Sequence, residues 1–214
     1  MKAIDNYTTI VREILMSLIV LMAGGTASGK TSIARAFTEK YGGLLINHDR
    51  YYLDTDFSDQ SNFDEPAALE NKLLAEHLRL LKSGRPAPLP IYDFPTHRRL
   101  KEVNIVQPQK VIIVEGILTL SSEELRAVGD TTIFVDAPAD TRLARRLLRD
   151  VVERGRSVHG VLEQYMETVR PMHHLHVESS RHFAEVELDG VIPIAESMNK
   201  LHQHIFGFLN SSNR

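Results

Sequence analysis

Short apolar runs alternate along this chain with longer stretches in which apolar residues recur every three or four positions, and glycine or proline separates the two kinds. Leu18 to Ala23 and Val111 to Val114 are apolar throughout, and Thr132 to Val135 nearly so. Such runs predict strands covered on both faces, as in a parallel sheet. Leu44-Leu45-Ile46 predicts a shorter strand, and the Glu185 to Leu188 segment completes the set. Between them, Ile33, Phe37 and Tyr41 fall at helical spacing from Thr31 to Tyr41, and Gly42-Gly43 ends that helix. Leu69, Leu73, Leu78 and Leu81 predict an amphipathic helix over 66–83, closed by Gly84. A long basic helix follows Asp136-Ala137-Pro138, with Leu143, Leu147 and Val151 on its apolar face, and a last helix starts at Ala195. Pro86 to Tyr92 holds too many prolines for a central strand and reads as an edge or an insertion. The alternation is that of an α/β fold, a doubly wound parallel sheet.

A chain of 214 residues can bury a sizeable core, and residues 1–214 read as a single domain. The net charge of −3 gives no general attraction to nucleic acid or to an anionic membrane, so neither is an expected partner. The absence of cysteine excludes disulfides, thiolate metal sites and cysteine nucleophiles, and suits a reducing cytoplasm. Lys2 and Arg12 ahead of the apolar Leu15 to Ala23 imitate a signal peptide. That run is too short to span a bilayer and leads straight into a glycine-rich loop at 24–29. Residues 1–15 read as an N-terminal extension with one or two amphipathic helical turns, and Met16 is an alternative start.

Chemistry concentrates where the first strand ends. Gly24-Gly25-Thr26-Ala27-Ser28-Gly29-Lys30-Thr31 fits G-x-x-x-x-G-K-[ST], and strand, glycine loop and helix come in the order a phosphate-binding P-loop needs. Glycines let backbone N–H groups close around phosphates, and the helix N-terminus adds a favourable dipole. Gly24, Gly25, Thr26, Ala27, Ser28, Gly29, Lys30, Thr31 and Ser32 are therefore the expected ATP site, with Lys30 on the β- and γ-phosphates and the Thr31 hydroxyl on Mg²⁺. Asp49 and Glu115 each follow an apolar run at the edge where open parallel sheets bind ligands. Glu115, paired with a P-loop, is the Mg²⁺ candidate. Arg142 and Arg145 read as the wet side of the basic helix, whereas Arg-Asp-x-x-x-Arg-Gly-Arg at 149–156 reads as a positive, flexible lid that meets charge on a transferred phosphoryl group and excludes water. His173, His174 and His176 lack the spacing of a zinc motif and read as helix-surface histidines.

These pieces, taken in order, resemble the uridine kinases (uridine–cytidine kinases). The resemblance runs from about Leu18 to about Ala184. Besides the P-loop it rests on Asp-Arg-Tyr-Tyr at 49–52, Asn-Phe-Asp-Glu-Pro at 62–66 and Tyr-Asp-Phe-Pro-Thr-His-Arg-Arg at 92–99. Glu-Gly-Ile-Leu at 115–118, Arg-Arg-Leu-Leu-Arg-Asp-Val-Val-Glu-Arg-Gly-Arg at 145–156, Gln164-Tyr165 and Val-Arg-Pro at 169–171 complete it.

The resemblance implies a P-loop NTPase fold of the nucleoside-kinase type with a helical lid at 146–160 and a small acceptor-side insertion at 86–106. It implies ATP-dependent phosphorylation of the 5′-hydroxyl of uridine, and of cytidine, with Mg²⁺ as cofactor, a nucleoside and ATP as partners, and a homo-oligomeric state. Asp49 then resembles the general base, with a second role near the metal. Asp64 resembles the carboxylate that accepts the ribose hydroxyls, with Arg146, Arg156 and Gln164 beside it. Tyr52, Phe63, Tyr92 and His97 resemble the wall around the pyrimidine, and Arg149 and Arg154 the lid arginines on the ATP phosphates. Two stretches depart from the pattern. Asp49-Arg50-Tyr51-Tyr52 stands where Asp-Ser-Phe-Tyr is common, and Asp189 to Ile194 lacks the arginine of the segment that borders the donor base. ATP over GTP rests on the second. Another P-loop kinase of small molecules, such as a phosphoribulokinase or pantothenate kinase, and a nucleotide-binding switch remain as alternatives.

Overall fold

The computed structural model describes residues 17–53 and 62–211, so the proposed N-terminal extension lies outside the described residues. Leu18–Gly24 forms β1 and runs through the P-loop into α1, Lys30–Tyr41; Leu44–Asn47 is β2. Asn71–Lys82 is α2, and Ala87–Asp93 and Arg98–Val106 are β3 and β4. Val111–Glu115 is β5, Glu123–Arg126 the short α3, Thr131–Asp136 β6 and Ala139–Val152 α4. After α5, Val158–Gln164, come β7, Val186–Asp189, and α6, Ile194–Ser211.

Five strands make one parallel sheet in the order β2-β5-β1-β6-β7. Successive side chains of a strand point to opposite faces, so each apolar strand feeds two layers at once. Ile19, Leu21 and Ala23 pack with Leu74, Leu78 and Leu81 of α2 on one face. Leu18, Val20 and Met22 pack with Ile33 and Phe37 of α1 and with Leu201 and Ile205 of α6 on the other. The sheet is doubly wound, as the alternation of runs predicts. Register brings the strand ends to one edge: Asn47 of β2 pairs with Glu115 of β5, Glu115 with Met22 two residues before the end of β1, Gly24 of β1 with Val135 of β6, and Asp136 of β6 with Asp189 of β7.

Pro86 to Tyr92 lies in a separate two-stranded antiparallel hairpin, β3–β4, in keeping with its prolines. Arg99 ties this hairpin to the turn after β2. Its Nη2 donates to the Tyr51 carbonyl at 2.7 Å and its Nη1 to Glu70 Oε2 at 2.5 Å.

Two expectations need correction. The helix predicted over 66–83 begins only at Asn71. Pro66–Ala68 is a 3₁₀ turn, and Leu69 is extended because it bridges Tyr52 across the chain. On α4 the apolar face is not the face that is buried. Arg142, Arg146 and Asp150 are buried, Leu143, Leu147 and Val151 are half-buried, and Leu148 and Val152 are exposed at 67% and 78%. The helix lies against the P-loop, whose polar groups take arginines, and not against an apolar layer.

From Val158 to Phe183 the backbone stays helical but changes pitch, with π-helical turns at Tyr165–Val169 and His173–Val177. Val161, Tyr165, Val169, His173 and Val177 are all buried. A four-residue period drifts off one face of an ideal α-helix, and the wider turns take up that drift. Pro171, which has no N–H to give, sits between the two wide turns.

We predict that Arg99→Ala loosens the hairpin. Loss of two hydrogen bonds from a largely buried guanidinium should cost roughly 1–3 kcal/mol in urea unfolding. It should also speed amide exchange in β3 and β4 more than in β1. Unchanged exchange in the hairpin would show that Arg99 does not anchor it.

Candidate active site

The P-loop needs two of its glycines for different reasons. Gly24 has φ +148°, and a Cβ there would lie 2.4 Å from the Val135 carbonyl oxygen. Gly29 has φ +104° and caps α1, where a side chain would be strained whatever the space. Ala27 also takes a positive φ of 57°. Ser28 donates its N–H to the Gly25 carbonyl at 3.1 Å, which closes the turn at the N-terminus of α1. Backbone N–H groups gathered at a helix N-terminus attract an anion. Lys30 is buried at 8% exposure, Thr31 is half-buried, and Ser32 is exposed on the first turn. Thr26 lies at the mouth, where its hydroxyl accepts from Arg146 Nη1 at 3.1 Å.

Two carboxylates face this loop. Glu115, at the tip of β5, is 2% exposed and accepts from Asn47 Nδ2 at 3.1 Å and from the Thr31 hydroxyl. Asn47 Oδ1 in turn accepts from the Asp49 N–H at 2.7 Å and caps the 3₁₀ turn His48–Tyr51 that carries Asp49. One asparagine thus positions both acids. Burial raises both carboxyls above their ordinary values, and each has the charge of Lys30 pulling it back. For Asp49 the charges of Arg154 and Arg149 also favour ionisation, while for Glu115 the charge of Asp49 opposes it.

Across the cleft stands an aromatic wall. The ring of Tyr52 lies 5.0 Å from Phe63 and 5.5 Å from Tyr92, and Phe63 stacks on His97 at 5.0 Å. The Tyr52 hydroxyl donates to the Phe63 carbonyl at 3.0 Å. Tyr52 and Tyr92 are buried, Phe63 is half-buried and His97 is exposed at the hairpin turn, with φ 54°. Asp64 sits beside the wall. Burial raises its carboxyl first, the Arg146 charge lowers it and the Asp49 charge raises it. Asp49, Asp64, Tyr52 and Arg146 therefore share one cleft.

The arginines close the third side. Gln164 Oε1 accepts from Arg146 Nη2 at 2.9 Å and from Arg156 Nη1 at 2.6 Å. Arg149 Nε donates to Asp150 at 2.9 Å, and Arg154 Nη1 lies 3.2 Å from the same carboxylate oxygen. Gly155, with φ +65° and nothing within 4 Å of a built Cβ, turns the chain between Arg154 and Arg156.

Arg142 and His173 correct the sequence reading. Arg142 is not on the wet side of α4: it is 6% exposed, donates from Nε to the Ala137 carbonyl at 3.0 Å, and fills the space where Gly25 has no side chain. Its Nη2 lies 3.1 Å from His173 Nε2. His173 is accordingly buried and not on a helix surface, and burial together with the Arg142 charge pushes it down to about 4. Arg145 is half-buried and donates to the Gly190 carbonyl at 2.8 Å, in the stretch that departs from the family pattern. Sequence reasoning also missed Asn47 and the central place of Asp150. The signal for Asp150 was present, since it stands four residues from both Arg146 and Arg154.

Residues 19–191 match the model of the Phosphoribulokinase / Uridine kinase family. A protein named uridine kinase from Bacillus licheniformis is 44% identical over 177 residues, covering 79% of this chain and 84% of its own. One from Chloroflexus aurantiacus is 46% identical over 181 residues, covering 81% and 87%. A solved structure, a putative fructose transport system kinase from Silicibacter sp. TM1040, aligns with a TM-score of 0.67 at 18% identity over 80% of this chain and 89% of that one, which speaks for the fold alone.

The turn that carries Asp49 also makes the site sensitive to pH. His48 is fully buried, with Nε2 at 2.8 Å from Asn71 Oδ1, and burial lowers it to about 4. Because the unfolded chain takes up that proton near 6.5 and the folded chain only near 4, stability falls as pH drops through this window. Asp49, Asp64 and Glu115, all raised, act in the opposite sense. We therefore predict the effect as a difference: between pH 7 and pH 5 the wild type should lose roughly 2 kcal/mol more than His48→Gln in urea unfolding. Equal losses would show that His48 titrates alike in both states.

Proposed function

The chain belongs to the phosphoribulokinase/uridine kinase family, and from that premise we infer that it transfers the γ-phosphoryl group of ATP to the 5′-hydroxyl of uridine, and of cytidine. One observation carries the reading for this site. Asp49 feels the charges of Lys30, Arg149 and Arg154 on the phosphate side, and its own charge reaches Tyr52 and Asp64 on the acceptor side. A hydroxyl held near Asp49 would lie between the two.

In this reading the pyrimidine rests against Tyr52, Phe63, Tyr92 and His97, whose rings lie 5.0–5.5 Å from one another in one cluster. Asp64 accepts the ribose hydroxyls, with Arg146, Arg156 and Gln164 holding the floor. The P-loop N–H groups and Lys30 hold the triphosphate, and Thr26 and Gly25 border it. As the 5′-oxygen bonds to phosphorus and the bond to ADP breaks, Asp49 takes the hydroxyl proton, and Arg149 and Arg154 meet the charge that spreads over the phosphoryl oxygens. A carboxylate in this place aligns the nucleophile and does not need to be a strong base.

The Thr31 hydroxyl and the buried Glu115 carboxylate, with Asp49 close by, fit a small hard cation. Mg²⁺ is commonly held by one or two carboxylates together with substrate phosphates. When bound there it would neutralise phosphate charge. The hairpin at 86–106 then serves as the acceptor-side insertion and 146–160 as the lid within one domain. No helix among the described residues is long and apolar enough to cross a membrane. We place the activity in the cytoplasm, with ATP and nucleoside as partners, and propose a homo-oligomer on the family resemblance alone.

The deciding experiment is coupled ADP release with uridine, cytidine, adenosine, pantothenate and ribulose 5-phosphate as acceptors. Turnover confined to the two pyrimidine nucleosides supports the reading, and turnover with pantothenate or ribulose 5-phosphate in their place overturns it.

Two variants test the parts. Asp49→Asn should lower kcat by about 10²-fold or more, the usual range for loss of a general base. Uridine binding by calorimetry should stay close to wild type. If binding collapses while kcat at saturation survives, Asp49 holds the nucleoside and is not the base. His97→Ala should raise the uridine KM by an amount worth about 1–3 kcal/mol, one contact to a bound base, and leave the ATP KM in place. An unchanged uridine KM would put His97 outside the pocket.

A further inference from the structure

Asp150 is the most enclosed charge in the lid, with a side chain at 0% exposure, and four arginines converge on it. Its two oxygens are used unequally. Oδ1 lies 2.9 Å from Arg149 Nε and 3.2 Å from Arg154 Nη1. Oδ2 lies 3.6 Å from Arg146 Nε and 3.7 Å from Arg156 Nη1, and makes no hydrogen bond among the described residues. Arg146 and Arg156 are instead held by Gln164 Oε1 at 2.9 and 2.6 Å. Gln164 thus holds Arg156 together with Arg146, whose charge reaches Asp64, and Asp150 holds the pair whose charges reach Asp49.

A guanidinium carries five N–H donors in a planar fork. Arg149 spends Nε on a hydrogen bond to Asp150 and keeps both Nη groups, and Arg154 brings Nη1 within ion-pair distance of the same oxygen. Arg154 is 56% exposed, beside the turn at Gly155, so a long side chain there has many rotamers unless something holds one edge. One carboxylate among four cations also leaves a positive excess for a polyanion.

We propose that Asp150 is a positioning residue for phosphoryl transfer: its Oδ1 holds Arg149 and Arg154 by one edge each, so that their remaining N–H groups are set for the oxygens of the transferred phosphate. This rests on the kinase reading of the site. Among the described residues Asp150 pairs with none of Tyr52, Phe63, Tyr92 and His97, and Arg146 and Arg156 keep their hydrogen bonds to Gln164 without it, so its loss acts on turnover more than on nucleoside affinity.

In uridine-dependent ADP release, Asp150→Asn is expected to lower kcat by about tenfold or more, since a misplacement of about 1 Å can cost about 10²-fold. The uridine KM should stay within about threefold. Because Asp150 acts partly through Arg154, the losses in Asp150→Asn and Arg154→Ala should combine to well under their product in the double variant. Should Asp150→Asn not fold, Asp150→Glu, which keeps the charge and moves it by a methylene, is expected to fold and to lose kcat in the same way. Wild-type kcat, a loss confined to the uridine KM, or losses that multiply would overturn the proposal. A wild-type chain inactive with every acceptor would refute the kinase reading itself. The Arg149 Nε–H resonance then still decides the anchor: slow solvent exchange in wild type and fast exchange in Asp150→Asn support it, and equal exchange sinks it.

Discussion

A cleft that must receive a triphosphate collects cations, and cations collected in the absence of their ligand repel one another and resist burial. Arg146 shows the tension. Burial works against its charge, while Asp150 and Asp64 support it. The fold meets this constraint with acids placed among the cations and not with solvent. Asp150 pairs with Arg149 and Arg154, Glu115 and Asp49 lie within reach of the charge of Lys30, and Asp64 within reach of that of Arg146. Asp150, enclosed at 0% exposure, is stable as a charge only as long as its arginines stay. Stability and phosphate binding are therefore built from the same groups.

The parallel sheet delivers these groups to one place. All five strands run parallel, so their last residues, Gly24, Asn47, Glu115 and Asp136, fall on one edge, with β1 reaching two residues past Glu115 into the P-loop. Two tight approaches keep the edge narrow. A Cβ on Gly190 would come within 1.9 Å of the Ser28 carbonyl, and one on Gly116 within 2.5 Å of His48. The loop after β7 thus closes backbone to backbone on the P-loop, and the turn after β2 sets the His48 side chain against the backbone just beyond β5. The acceptor wall is assembled differently, from the turn after β2, the segment near Phe63 and the hairpin, which Arg99 draws together.

The family match over residues 19–191 takes in the P-loop, the aromatic wall and the arginines around Gly155 alike. The departures lie where this structure has its own arrangements. Arg50 follows directly on Asp49, and the arginine-free stretch after Asp189 is met by Arg145 from α4, which donates to the Gly190 carbonyl. A guanidinium is therefore still present beside that segment, supplied by a different element.

By itself the sequence determined β1, the P-loop, α1, β5 and β6, because apolar runs, glycine conformations and helix stops act over a few residues. It also marked Tyr52, Phe63, Tyr92 and His97, which the structure brings together, and the arginines from 146 to 156, since these stand in short motifs. It did not determine where α2 begins, because Leu69 is held extended by Tyr52, seventeen positions away. Nor did it show which face of α4 turns inward. Periodicity identifies the buried face of a helix only when the neighbouring surface is apolar, and here that surface is a phosphate loop that accepts Arg142 and Arg146. The same holds for His173, buried because Arg142 reaches it from another helix. Asp150 was legible as a letter in a motif, but the convergence of four arginines around it required Val152 to end the helix and Gly155 to turn the chain back toward it. Local pattern chose the elements; charge brought together from distant positions decided how they face one another.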